Sequence, residues 1–185
     1  MLFRSGNPRQ GAILFHQVHI GCIKCHAVDG SRNALGPDLT RPIQADDWPT
    51  HIVTSILKPS DSIRKGYETV SVVTADGLTK TGLLVEKSDA GVTLRDASGN
   101  GDRVLIPAAD IDDVVDSRVS VMPAGIVNQL TGRQQFLDLV RYVFELQDGG
   151  TAAARRLQPP PGLVAFRLPE YEARVDHAGL IRQLD

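Results

Sequence analysis

Apolar residues recur along this chain at two different periods, and the period changes twice. Asn7-Pro8 opens a helical stretch. Asn can cap free N–H groups, and Pro suits the first helical position. Gly11, Phe15 and Val18 then share one face, with Gly11 leaving room for the close approach of another helix. Residues 27–45 carry Gly30, Asn33, Gly36-Pro37 and Pro42 and read as loop. A second helix is expected from Asp47 to Leu57, capped by Asp46 or Asp47, with Pro49 in its first turn. Ile52 and Ile56 make its apolar face, and Pro59 closes it. A short helical turn is expected at Asp61–Arg64.

From Glu68 the period becomes two. Glu68–Thr74, Leu78–Glu86, Val92–Arg95, Arg103–Ile106 and Ile111–Val115 read as five short strands rich in β-branched residues. Ala75-Asp76-Gly77, Asp89-Ala90-Gly91 and Ser98-Gly99-Asn100-Gly101 supply the turns between them. This predicts a small β-barrel or curled sheet. After Met122-Pro123 the helical period returns, with Thr131 and Gln134 spaced as a capping box. Phe136, Leu137, Val140, Val143 and Phe144 form its apolar stripe, and Gly149-Gly150 is expected to end it. The remaining residues, with Pro159-Pro160-Pro161, read as an extended linker leading toward a further module. The expected domains are therefore a discontinuous helical unit over 5–66 and 119–148, an inserted β subdomain over 67–118, and a C-terminal linker or extension over 149–185.

Charge follows the same division. Eight Lys/Arg stand against five Asp/Glu in residues 1–66, five against ten in 67–121, and seven against seven in the rest. The net charge of −2 argues against non-specific nucleic-acid binding. No apolar run approaches the length of a membrane span. Met1 to Gln10 has no signal-peptide core. Aromatic residues are scarce, at 5 %, so a bound planar cofactor would supply bulk that the side chains lack.

The chemistry concentrates in Cys22-Ile23-Lys24-Cys25-His26, which has the spacing of covalent haem attachment. Two thiols one short turn apart can add to the two vinyl groups of a porphyrin, and the next residue, His26, then offers an imidazole to the iron. Two alternatives use the same thiols. A redox-active dithiol wants a strand before the motif and a helix after it; here a helix precedes and a loop follows. A zinc site needs two further ligands, and no third Cys exists. Met122 is the expected second axial ligand, because Met1 is terminal and the chain has only these two methionines. A thioether opposite His raises the reduction potential by stabilising Fe(II). His16, His19, His51 and His177 are weaker candidates, although His51 could approach a propionate or replace the Met.

Phe15, the Cys22–His26 motif, Gly36-Pro37-Asp38-Leu39-Thr40, Ser120–Pro123 and the last helix together resemble a class I cytochrome c. Ser55–Ser60, Gly66-Tyr67 and Asp76-Gly77 make the chain more similar to the haem-binding domains of planctomycetes and verrucomicrobia, with a β insert before the Met ligand. The resemblance implies a mainly α cytochrome c fold carrying an inserted five-stranded, barrel-like subdomain. It also implies that Pro37 O accepts from His26 Nδ1, that Leu39 packs on the haem edge, and that Gly11 and Phe15 meet Tyr142. Trp48 is expected to hydrogen-bond a propionate.

These readings lead to one expectation: a mono-haem c-type cytochrome that carries single electrons and is not itself an enzyme. It would serve a redox partner or fused dehydrogenase. Covalent haem attachment places it in the periplasm or otherwise outside the cytoplasm, as a piece of a longer exported precursor. The competing functions are a five-coordinate haem enzyme or gas sensor with a labile Met122, and a binding module that works through the acidic β insert.

Overall fold

The computed structural model describes residues 5–31, 35–44, 46–97 and 101–164. Met1, Asn33, His177 and most of the turn expected at 98–101 lie outside them, as does the tail beyond 164.

Helix α1 (Pro8–His16) begins as its sequence requires: the Asn7 side chain accepts from the backbone N–H groups of Arg9 and Gln10. It ends at His16, so Val18 falls past the last turn and is 52 % exposed, off the face shared by Gly11 and Phe15. A single turn, α2 (Cys22–Cys25), carries the thiols. Helix α3 (Trp48–Leu57) buries Ile52, Val53 and Ile56; Asp47 occupies its N-cap position, but its side chain makes no capping bond. Residues 61–64 form turns and bends, not helix.

The longest element is α4 (Arg133–Leu157). Its start differs from the expected capping box. Gly132 is the N-cap, Gln135 accepts from Thr131 N, and Gln134 turns to donate to the buried carboxylate of Asp138. Gly150 stands at φ 55°, ψ −146°, outside helical space, so the first helical run breaks where Gly149-Gly150 predicts; a second helical segment then runs on to Leu157. Glycine costs a helix about 1 kcal/mol relative to alanine. Ala154 and Leu157 are buried beside Ala12 and Phe15, and that burial offsets the penalty. A last short turn, α5 (Pro161–Val164), follows.

Helices α1 and α4 cross at close range. A Cβ on Gly11 would fall against the Asp138 carbonyl and 2.8 Å from Tyr142 Cβ, so only glycine permits this approach. The rings of Phe15 and Tyr142 pack at a 60° tilt with centroids 5.4 Å apart. Asp138 also accepts from the backbone N–H of Asn7, which ties the start of α1 to α4. On its other side α4 presents Val140, Val143 and Phe144 to Ile52, Val53 and Ile56 of α3.

Residues between α3 and α4 build five antiparallel strands: β1 (Thr69–Thr74), β2 (Thr79–Ser88), β3 (Gly91–Asp96), β4 (Arg103–Pro107) and β5 (Ile111–Ser117). Their order in the sheet is β4-β3-β2-β1-β5. Val70, Val72, Val92, Leu94 and Ile106 form a core of the sheet's own, as the alternation of its strands dictates.

Two features correct the expected fold class. The protein is a mixed α and β structure, not a mainly helical cytochrome c fold, because the five strands form a complete sheet with a separate core. The sheet is also open, not a barrel. A 3-10 turn at Ala108–Asp110 joins β4 to β5, yet these two strands lie at opposite edges of the sheet. A barrel would require them to pair. Charged residues at Asp112, Asp113 and Asp116 line the β5 edge, which discourages pairing there.

Candidate functional site

A cavity of about 460 Å³ opens between α2, α3, α4 and the loops that join them. Its walls bring together residues far apart in sequence: Cys22, Cys25, His26, Leu39, Ile52 and Met122. Its size falls in the range of small-molecule and cofactor sites, roughly 300–1,000 Å³.

Local structure sets each of these side chains. Gly21 leads the chain into α2 in a left-handed conformation. One helical turn then places both cysteines on the cavity wall, and the chain leaves the turn at His26 in extended form. Both thiols are free. Burial pushes the Cys22 thiol up to about 11 and also raises Cys25, so each is held as a thiol, not a thiolate.

His26 Nδ1 lies 3.0 Å from Pro37 O. A carbonyl oxygen can only accept, so Nδ1 carries the proton and Nε2 keeps its lone pair. Burial lowers the His26 pKa, with the Pro37 bond opposing it, which favours the neutral ring that binds metals. Gly36 completes this arrangement. A Cβ there would lie 2.7 Å from Cys25 O and 3.0 Å from the His26 ring, so a side chain would displace the imidazole.

The loop that carries Pro37 is fastened to α4. Gln147 Nε2 donates to Leu39 O at 2.6 Å, and Gln147 Oε1 accepts from Ile43 N at 2.8 Å. Leu39 packs against both helical clusters and lines the cavity. Met122 reaches the cavity from the loop before α4, where its N–H donates to Ser120 Oγ. The Ser120 N–H in turn donates to Ser60 Oγ.

Trp48 is not among the residues that line the cavity. Its ring packs edge-on against Phe144 at 4.9 Å, and the α3 wall of the cavity is made by His51, Ile52, Ser55 and Ile56. His16 donates from Nδ1 to Ala12 O, and His19 is exposed. Among the described residues, no three His, Cys, Asp or Glu side chains converge as metal ligands. None of their helices is long and apolar enough to cross a membrane.

Sequence reading gave no role to Gln147, Arg64 or Arg95. Gln147 lies among apolar neighbours on α4, and its partners are more than a hundred residues away. No local spacing announces such a pair. No protein-family model matches this chain, and a search of the curated proteins finds no match.

The donor set fits a covalently held haem. Two neutral thiols and an imidazole with one free nitrogen share a wall, a thioether lines the same cavity, and apolar side chains make up most of the remainder.

Proposed function

We propose that this protein is a c-type cytochrome, a carrier of single electrons with one covalently attached haem. The observation that carries the reading is the gathering of Cys22, Cys25, His26, Leu39 and Met122 around one cavity, from three separate stretches of chain. Bound there, a haem supplies a one-electron iron couple. The chain's own residues do the rest. Cys22 and Cys25 tether the group through thioether bonds. His26 offers Nε2 while Pro37 O orients its ring. Met122 would hold the iron through its thioether, and Ile52, Ile56 and Val143 would exclude water. An iron held by both His26 and Met122 would leave no ligand position open to a substrate, so the proposed role is electron transfer and not catalysis.

Covalent haem attachment in bacteria occurs outside the cytoplasm, so we place the protein in the periplasm or a comparable exported setting. Its proposed partner is another redox protein or a fused dehydrogenase domain. Two spectra test the reading. The reduced, pyridine-treated protein should show the band of a haem with two thioether bonds. The oxidised protein should show the long-wavelength band of sulfur on iron. A haem without that second band would favour a five-coordinate enzyme or gas sensor, and carbon monoxide binding to the reduced protein would support that alternative.

A further inference from the structure

The cavity that gathers the thiols has a neighbour. A second cavity, of about 430 Å³, lies between the Pro37 loop and the inserted sheet. Gly36, Pro37, Asp38, Arg41, Arg64 and Tyr67 line both, so the two spaces share a wall. The sheet supplies the far side: Leu83, Leu84 and Val85 of β2, and Arg95 of β3. The pairing of β2 with β3 shifts register between Leu84 and Glu86, and such a bulge re-aims the strand locally.

The two spaces differ in chemistry. Apolar side chains wall most of the first. The second collects Arg41, Arg64, Lys65 and Arg95 against a single carboxylate, Asp38. Asp38 is already committed. Its Oδ1 accepts from the Thr40 N–H at 2.9 Å and from the Thr40 hydroxyl at 2.7 Å. Its Oδ2 faces Arg41 Nε at 3.6 Å and accepts no hydrogen bond. Arg95 donates from Nη1 to Gly101 O at 3.2 Å. That bond orients the guanidinium and leaves further N–H donors for another acceptor. Four cations around one cleft repel one another unless an anion sits among them.

An occupant with an apolar body and an anionic edge satisfies both spaces at once. We infer that the inserted sheet takes part in the cofactor site: the cationic cleft receives the carboxylates of the haem, with Arg95 contributed by the sheet and Arg41 and Arg64 by the loops. This inference rests on the proposed function. It assigns the propionates to cations and leaves Trp48 to pack on Phe144.

The test is the midpoint potential of the haem-loaded protein, measured for Arg95→Gln and Arg64→Gln. Fe(III) carries one more positive charge than Fe(II), so loss of a nearby cation favours the oxidised state and both variants should shift to lower potential. Arg95→Lys keeps the charge and should stay near wild type. Lys87→Gln makes the same charge change at an exposed position that lines neither cavity, and should not shift. Arg64 is exposed in a loop, so its variant reports even where Arg95→Gln fails to fold.

Wild-type potentials in both Gln variants, with haem attached, would overturn the inference and leave the proposed function standing. A wild-type protein that takes up no haem would overturn both. Citrate provides a further arm. A potential that responds to citrate at constant ionic strength in wild type, but not in Arg95→Gln, would show a cleft open to free anions and would sink the assignment.

Discussion

Gln147 reaches 108 residues back along the chain to donate from Nε2 to the Leu39 carbonyl at 2.6 Å. The same side chain accepts from Ile43 N, so one residue of α4 holds the loop that begins at Pro37. That loop orients His26. Gln147→Leu should therefore cost about 1–3 kcal/mol, the usual penalty when buried polar partners are left unsatisfied. Urea unfolding of the haem-loaded protein checks this, and a loss within ±0.5 kcal/mol, typical of an exposed site, would mean that the loop is held by something else.

Met122 is assigned as an iron ligand because it lines the same cavity as His26. Met122→Ala should lower the reduction potential, since the thioether favours Fe(II). It should also open the reduced protein to carbon monoxide. Voltammetry and a difference spectrum read both effects. An unchanged potential would remove Met122 from its role.

The end of α4 makes a claim about stability that the glycine pair conceals. Leu157 is buried beside Ala12 and Phe15. Leu157→Ala should cost about 2–5 kcal/mol. Leu163, which is 56 % exposed, should tolerate the same change within about 0.5 kcal/mol. Thermal unfolding of the pair distinguishes a packed helical segment from a linker, because a linker would make the two substitutions equivalent.

The thiols carry a pH dependence. Burial pushes Cys22 up to about 11 and raises Cys25 as well. In protein made without haem, both groups are therefore protonated at pH 8. Alkylation of Cys22 should be slow there and should rise about tenfold per pH unit until it levels near its pKa, because the thiolate is the nucleophile. Mass spectrometry of iodoacetamide-treated samples follows this. Fast alkylation at neutral pH would indicate a lowered pKa and favour a redox dithiol.

Much of this architecture was legible from local pattern. The five strands lie within a few residues of the β-branched runs, because their alternation and Gly-containing turns are local signals. Asn7-Pro8 marked the start of α1 for the same reason. The misreadings came from tertiary context. Gly149-Gly150 reads as a helix end and the helix does break at Gly150, but no local signal announces the second helical segment, which Ala154 and Leu157 hold against α1. Strand pattern suggested a small barrel or a curled sheet, and the choice depends on whether β4 and β5 pair, which no residue spacing reveals. At the site, the run from Cys22 to His26 was visible because its chemistry is contiguous. The packing of Trp48 on Phe144 was not legible, because the two residues are distant in sequence. Arg95 was missed because its cleft exists only once the sheet folds against the Pro37 loop.

The most direct test is the intact mass of the protein, produced in cells that attach haem and measured under denaturing conditions. The account predicts the chain plus one haem, with neither Cys22 nor Cys25 open to alkylation. The mass of the bare chain, with both thiols reactive, would contradict it.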